Sequence, residues 1–345
     1  MDGRIKDVVN DGPYKVSVNN ERELNVDSGK TLRVALHDEK ISIPSVCGGR
    51  GVCGTCKCRV TKGGGPLLPA ETSLLTKDQI ADGMRLSCQV EVCNDLDIEI
   101  PDELLSVRTY ESICTEIEEL TYDTRRFRFE LKTPAQIDFT AGQFVQLLCP
   151  RYKGSSEEVY RAYSIASDPA QTNLIDLIIR RVPNGICTTW CFDILKEGDP
   201  VMLNGPYGDF HLSDTAAPMV FVAGGSGMAP FVSILSEMRN TNSKRPVKYF
   251  FGGNTTKDLC LADQMKGFEE VLEDFEFIPV VANPDEGAGW AGQTGLVTEA
   301  VRRTYSDLSG HEGYLCGSPG MINATVKVLV ELGMPEEKVY YDKFA

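Results

Sequence analysis

The stretch Cys47-Gly-Gly-Arg-Gly-Val-Cys53-Gly-Thr-Cys56, answered by Cys88 inside Arg-Leu-Ser-Cys-Gln-Val, constrains this chain more than any other feature. Three thiols crowd one glycine-rich loop, and a fourth arrives from a distant segment. Gly48, Gly49, Gly51 and Gly54 let such a loop bend tightly, because glycine tolerates positive φ. They also leave amide N–H groups free to point at sulfur. Four thiolates so placed can wrap an iron–sulfur rhomb, with those N–H groups tuning its potential. A zinc ribbon would want two Cys-x-x-Cys knuckles, and here the second is missing: Cys88 stands alone, with Cys93 five residues on. Cys47, Cys53, Cys56 and Cys88 are therefore the expected metal ligands. Cys58, Cys93, Cys114, Cys149, Cys187, Cys191 and Cys260 are expected to be buried thiols acting as small hydrophobes.

A chain of 345 residues, 42% hydrophobic and 25% charged, exceeds one ordinary core and reads as two or three domains. Its net charge of −15 argues against a nucleic-acid surface. The acidic run from Asp95 to Glu103 is either a solvated edge or a face for a basic partner. The opening Met1-Asp-Gly-Arg-Ile-Lys lacks the apolar core of a signal peptide, and no apolar run reaches the roughly 18 residues of a spanning helix. The expectation is a cytoplasmic protein with no membrane-spanning segment. There, twelve cysteines suggest metal ligation before disulfides. His37, His211 and His311 are too scattered to build a zinc or haem site.

Three textures follow one another. Residues 1–105 alternate short apolar runs (Tyr14–Val18, Ile41–Ile43, Cys58–Val60, Leu96–Ile100) with glycine loops, as in a small twisted sheet. Residues 106–214 hold strand-like segments at Phe127–Leu131, Phe144–Leu148, Leu174–Ile179 and Val201–Leu203, punctuated by Gly and Pro as a barrel would be. Residues 215–345 alternate strand and helix: strands at Met219–Ala223, Val247–Phe251, Glu276–Val281 and Gly313–Cys316, helices at Ala229–Arg239 and Ser318–Leu332. That alternation predicts a parallel α/β layout. The short boundary near Pro101–Arg108 predicts a hinged first domain.

Two further constellations carry chemistry. In Arg161-Ala-Tyr163-Ser164-Ile-Ala-Ser167 an aromatic ring can cover one face of an isoalloxazine, a hydroxyl can bond its polar edge, and an arginine can hold phosphate. Val182-Pro-Asn-Gly185-Ile-Cys-Thr188-Thr189 would open a helix whose amides and hydroxyl suit a pyrophosphate. Gly224-Gly225-Ser226-Gly227, between a buried strand and a helix, allows close approach of a dinucleotide, and Cys316-Gly317-Ser318-Pro319-Gly320 repeats that strand–loop–helix logic.

The cysteine loop, with Gly63-Gly-Gly-Pro-Leu-Leu-Pro, resembles the plant-type ferredoxin module of NADH-dependent electron-transfer flavoproteins. Its first gap of five residues fits the F subunit of sodium-pumping NADH:quinone oxidoreductases better than most oxygenase reductases. The flavin and nicotinamide strings fall in the order of the ferredoxin-reductase family. This resemblance implies a multidomain chain: an N-terminal β-grasp [2Fe-2S] ferredoxin domain (α+β), an antiparallel β-barrel FAD domain, and a C-terminal α/β parallel-sheet NAD domain. It implies that Arg161 binds the FAD phosphate, Tyr163 stacks on the flavin and Ser164 faces its N5 side. Gly185 and Thr188 would serve the pyrophosphate, and Gly224, Gly225 and Gly227 the dinucleotide. Cys316 would lie beside the hydride-donating carbon, unless it is only a small residue ending a strand. Phe344 would cover the flavin face until nicotinamide displaces it, unless it is tucked against the sheet. NADH is favoured over NADPH because no arginine occurs between Arg245 and Arg302 to meet a 2′-phosphate, although Lys257 could.

The function so implied is an NADH-dependent reductase passing electrons from NADH to FAD to [2Fe-2S] to a protein acceptor, such as an oxygenase component. Stacking geometry, rather than an acid–base residue, governs the hydride step, with Ser164 and Cys316 shaping it. Alternatives are a relative of the pump's F subunit without its N-terminal membrane helix and with a short Pro150–Arg161 connection, or a reductive activator of a corrinoid protein. A non-catalytic iron–sulfur scaffold is the reading from a different class.

Overall fold

The computed structural model describes residues 12–39, 41–45, 47–101, 104, 107–285 and 289–344. The chain divides between Val107 and Arg108 into two compact units. The first residues, expected to lack a signal peptide, the end of the acidic run and half of the expected hinge lie outside the described residues.

The first unit contains β1 (Tyr14–Val18), β2 (Arg22–Val26), α1 (Leu32–Asp38), β3 (Lys57–Lys62), α2 (Pro69–Leu74), α3 (Lys77–Ala81), β4 (Met84–Leu86) and β5 (Leu96–Glu99). The sheet order is β2-β1-β5-β3-β4, with β1 and β5 parallel and the other pairs antiparallel. Alternate strand residues such as Val16, Val18, Leu96 and Ile98 point into the core, where Leu32, Ala35 and Leu36 of α1 meet them. That i, i+3, i+4 spacing gives α1 its buried stripe. A mixed sheet packed on one helix is the β-grasp arrangement. The expected strand at Ile41–Ile43 is instead a buried loop, because Ile41 N–H bonds Leu36 C=O as α1 ends and Pro44 has no N–H for a ladder. Cys93, expected to be buried, is exposed.

The second unit opens with β6 (Arg108–Glu119), β7 (Thr124–Thr133), β8 (Phe144–Cys149), β9 (Val159–Ser164), β10 (Leu174–Arg180), α4 (Ile186–Asp193) and β11 (Pro200–Tyr207). The antiparallel order is β10-β7-β6-β11-β8-β9. Just beyond β9, an Ile165↔Leu177 bridge and the Ala166 N–H to Asp176 C=O bond of 2.8 Å join the two ends, closing a barrel. Inward residues of period two, including Phe127, Phe129, Val145, Leu147, Ile175 and Leu177, fill it.

The same unit continues with β12 (Met219–Gly224), α5 (Ala229–Asn240), β13 (Val247–Gly253), α6 (Ala262–Val271), β14 (Phe275–Val281), β15 (Gln293–Thr294), α7 (Val297–Thr304), β16 (Glu312–Gly317), α8 (Pro319–Glu331) and β17 (Val339–Lys343). Every pairing in the order β15-β14-β13-β12-β16-β17 is parallel. Phe221, Tyr249 and Phe251 pack on α5 and α6, while Val220, Val222 and Phe250 pack on α7 and α8. Burial on both faces explains why β12 reads as an unbroken apolar run.

Candidate active site

In the first unit, the loop before β3 carries three of the expected ligands, and the segment after β4 carries the fourth. Gly51 sits at φ 72°, where a Cβ would also lie 2.7 Å from the Gln89 amide, so only glycine fits. The thiols fall into two pairs. The Cys53 thiol is among the groups that favour the Cys47 thiolate, and Cys56 Sγ lies 3.2 Å from Cys88 Sγ. Burial opposes ionisation of Cys47, yet the Val52 N–H, the Cys53 thiol and the Gly49 N–H hold it down to about 7. The Cys56 thiol holds Cys88 down to about 6, against burial, and the Gln89 amide (3.4 Å), the Gly51 N–H and the Arg33 charge assist. Cys56, as donor to Cys88, is pushed up, and burial adds to this.

Cys47, Cys53, Cys56 and Cys88, fringed by amide N–H groups, would hold a [2Fe-2S] cluster, which would supply one-electron chemistry. Among the described residues, no three His, Cys, Asp or Glu side chains converge as a single-ion site would require. Sequence reasoning missed Arg33, whose buried Nε has no hydrogen-bond partner and lies 3.2 Å from where a Gly49 Cβ would stand. A cation turned toward the cysteine loop, with no ion pair among the described residues, is the counterpart of a negatively charged cluster. It also missed the ion pair of Glu71 and Arg85, 0% and 8% exposed. Arg85 donates to both Glu71 oxygens (2.8 Å each) and to the Gly64, Gly65 and Pro66 carbonyls, and Glu71 accepts the Leu86 N–H at 3.0 Å. The pair ties the glycine loop to the strand that leads into Cys88.

In the second unit, β9 is a barrel edge whose Val159–Tyr163 stay half-exposed while Ser164 is buried. Arg161 donates to Tyr160 C=O (2.8 Å), and its charge is felt by Cys187 in the first turn of α4. That cation and the α4 N-terminus form one electropositive cradle. Gly185 caps the helix, and a Cβ there would meet Thr188 Oγ1 at 2.6 Å. The Thr188 hydroxyl is committed to Val182, accepting its N–H and donating to its C=O, both at 3.2 Å. It shapes the turn.

The loop from Gly225 to Met228 is a single tight turn leading into α5. Gly227 presses so closely on β16 that a Cβ would stand 2.3 Å from the Cys316 carbonyl oxygen. Cys316 is fully buried; burial, with the Asp342 charge adding to it, pushes its thiol up, so it stays protonated. The β16–β17 register sets Cys316 opposite Asp342, and Asp342 accepts from the Ser164 hydroxyl at 3.3 Å. Burial raises Asp342 to about 6, opposed by that hydrogen bond. Phe344 is half-buried against the same core as Cys316, its N–H on Gly317 C=O at 2.9 Å. Ser164 and Cys316 thus each neighbour Asp342, a residue that sequence reasoning missed. Its signal was its place two residues before Phe344 on a terminal strand.

Three family descriptions match the chain in order: a 2Fe-2S iron–sulfur cluster binding domain at residues 16–93, an oxidoreductase FAD-binding domain at 112–212 and an oxidoreductase NAD-binding domain at 221–327. The F subunit of the Na(+)-translocating NADH-quinone reductase of Marinomonas sp. is 32% identical over 386 aligned residues, 98% of this chain and 92% of that protein. The chain belongs to the family of these F subunits. Its Neisseria meningitidis counterpart is 33% identical over 381 residues, with 98% and 93% covered. Among solved structures, this relative of the F subunits superposes on the Amycolatopsis cytochrome P450 reductase GcoB with TM-score 0.78 and 31% identity, covering 96% and 98% of the two chains. The ferredoxin reductase of carbazole 1,9a-dioxygenase gives 0.74 and 25%, with the same coverage.

This family member is an NADH-dependent oxidoreductase that carries electrons from NADH through FAD to a [2Fe-2S] cluster. Flavin, when bound, accepts hydride as a pair of electrons and releases them singly, as a one-electron cluster requires. Among the described residues, no helix is long and apolar enough to cross a membrane.

Proposed function

We propose that this chain is the reductase of a separate soluble redox protein, of the oxygenase-component kind, and hands it single electrons from the cluster in the cytoplasm. The observation that carries this reading is the end-to-end match with the P450 reductase, 96% of one chain and 98% of the other. Cys58, Cys114, Cys149, Cys187, Cys191 and Cys260, buried and in no disulfide, suit a reducing compartment.

In this account Cys47, Cys53, Cys56 and Cys88 hold the cluster in a domain of residues 1–105. Arg161, Gly185 and the α4 turn shaped by Thr188 hold the FAD phosphates within residues 106–214, with Tyr163 against the ring. Gly224, Gly225 and Gly227 admit NADH to residues 215–345, and Phe344 yields its place to nicotinamide. Ser164, Asp342 and Cys316 frame the hydride path.

A second reading, the NADH-oxidising part of a quinone-reducing pump, draws on the 32% identity to the Marinomonas protein, but that alignment needs 386 positions for a chain of 345 residues. The test is anaerobic turnover of the holoprotein with NADH and, in turn, a P450, a Rieske-type oxygenase component and a short-chain quinone. Reduction of a protein acceptor that C88S abolishes supports the proposal. Reduction of quinone alone, indifferent to C88S, overturns it.

A further inference from the structure

The turn between β6 and β7 carries two side chains that reach from the barrel to loops of the parallel sheet. Tyr122 Oη donates to Asp258 Oδ1 at 2.9 Å, a contact across 136 positions of chain. Asp123 Oδ2 accepts from Arg180 Nε at 2.7 Å, and Arg180 Nη1 lies 3.5 Å from where a Gly225 Cβ would stand. The turn itself is braced. Asp123 Oδ1 accepts from the Thr121 and Thr124 hydroxyls at 3.1 and 3.0 Å, and Leu120 packs against the core of the sheet. One turn of the barrel thus meets the glycine loop after β12 through Arg180, and the loop after β13 through Tyr122.

The strand order places a ligand along these two loops. β12 has β13 on one side and β16 on the other, so the order reverses at β12, and a dinucleotide lies in the crevice beyond its C-terminal end. The nicotinamide end belongs on the β16 side beside Cys316, and the phosphates at the Gly224–Gly227 loop. The adenosine half then extends over the C-terminal end of β13, where Asp258 stands. This placing rests on the reading that Gly224, Gly225 and Gly227 admit NADH.

Three hydrogen bonds fix the Asp258 carboxylate. Oδ2 accepts the Thr255 N–H at 2.7 Å and the Thr255 hydroxyl at 3.2 Å, and Oδ1 accepts from Tyr122. A carboxylate has about four lone-pair sites, which leaves one for a ribose hydroxyl. Among the described residues Asp258 forms no ion pair, because Arg180 is taken by Asp123, and Lys257 beside it is exposed. A carboxylate without a cation accepts from a ribose 2′-hydroxyl and repels a 2′-phosphate. Tyr122 is 71% exposed, and a hydrogen bond so open to water adds little to folding. Its effect is on where the carboxylate points.

We propose that Tyr122 is a positioning residue for NADH: its hydroxyl holds the Asp258 carboxylate toward the adenosine ribose and so favours NADH over NADPH. Tyr122 lies in the stretch matched to FAD binding, residues 112–212, so the flavin-holding barrel itself takes part in choosing the nicotinamide cofactor.

The test compares the parent holoprotein with Y122F and D258N. Rapid mixing with NADH or NADPH gives an apparent Kd and a limiting rate of flavin reduction, and equilibrium titration of the oxidised protein with ADP-ribose gives an affinity without turnover. Y122F should weaken NADH and ADP-ribose on the order of tenfold, the scale of one hydrogen bond to a charged group, and leave the limiting rate unchanged. D258N should shift the ratio of affinities toward NADPH. Unchanged ADP-ribose affinity in Y122F overturns the proposal whether or not the variant melts lower, because the contact is then structural alone. A limiting rate that falls while affinity holds overturns it as well. An unmoved ratio in D258N overturns the role of Asp258, and with it that of Tyr122. Parent protein that binds no ADP-ribose overturns the placing of the adenosine. Failure of the proposed function would appear elsewhere, as parent protein that reduces no protein acceptor.

Discussion

Ser164 Oγ lies 3.3 Å from Asp342 Oδ2, and the β16–β17 ladder sets that aspartate opposite Cys316. A barrel edge strand and two strands of the parallel sheet therefore deliver a hydroxyl, a carboxylate and a thiol to one place. Asp342 is raised by burial, against the Ser164 hydrogen bond, from 3.8 to about 6. Its charged form is the one that the fold disfavours. Stability from this group is full below 3.8, declines as pH rises to about 6, and stays at the lower level above. D342N should therefore melt higher than the parent at pH 8, and the two should converge below pH 4 (both roughly placed). The same variant should slow flavin reduction by about 100-fold, the cost of a small misplacement of the reacting groups, and lose the inflection near 6 from its pH profile. Unchanged melting and kinetics would make Asp342 a bystander.

Gly227 and Cys316 form a second dependence. Because a Cβ at Gly227 would stand 2.3 Å from the Cys316 carbonyl oxygen, G227A must push the dinucleotide loop away from β16. We expect G227A to keep its flavin and cluster spectra and to lose NADH affinity. C316A leaves the backbone in place but removes the thiol, and should slow hydride transfer by at least about tenfold with the cluster spectrum intact. Unaltered single-turnover rates in C316A would remove the thiol from the hydride path.

Arg33 makes an electrostatic prediction. Its partnerless buried Nε stands beside Gly49, and its charge favours the Cys88 thiolate. Reduction adds a negative charge to the cluster, so a nearby cation stabilises the reduced form. R33Q should lower the potential in an EPR-monitored redox titration while iron content stays at two per chain (the roughly expected stoichiometry). An unmoved potential would assign Arg33 to packing.

The Glu71–Arg85 pair makes a prediction about stability. Burial opposes ionisation of Glu71, yet the Arg85 bonds and the Leu68 and Leu86 N–H groups hold its carboxyl below the usual range. Its contribution is present above 4.5 and lost as pH falls through the lower native value. E71Q, which leaves the Arg85 charge buried alone, should cost about 3–5 kcal/mol. Denaturant unfolding followed by cluster absorbance would measure it. A loss below about 1 kcal/mol, the range of surface pairs, would contradict the account.

What was legible in the sequence was what chemistry restricts to few residue types. Glycine and cysteine spacing announced the cluster loop, and apolar runs bounded by glycine announced β12 and the other parallel strands. Long β6 went unread because its outward charges, Glu111, Glu116, Glu118 and Glu119, interrupt the apolar count while its inward Tyr110, Ser112 and Cys114 remain buried. Asp342, Arg33 and the Glu71–Arg85 pair were hidden for a different reason. Each matters through a partner far away in the chain, and a lone charged residue has no local pattern.

Electrons pass in a fixed order within one polypeptide, and anaerobic rapid mixing of the holoprotein with NADH tests that order directly. Flavin absorbance should bleach first and the cluster signal should follow, with C88S retaining the first phase and losing the second. Cluster reduction that precedes flavin bleaching, or a C88S variant with both phases intact, would contradict that order.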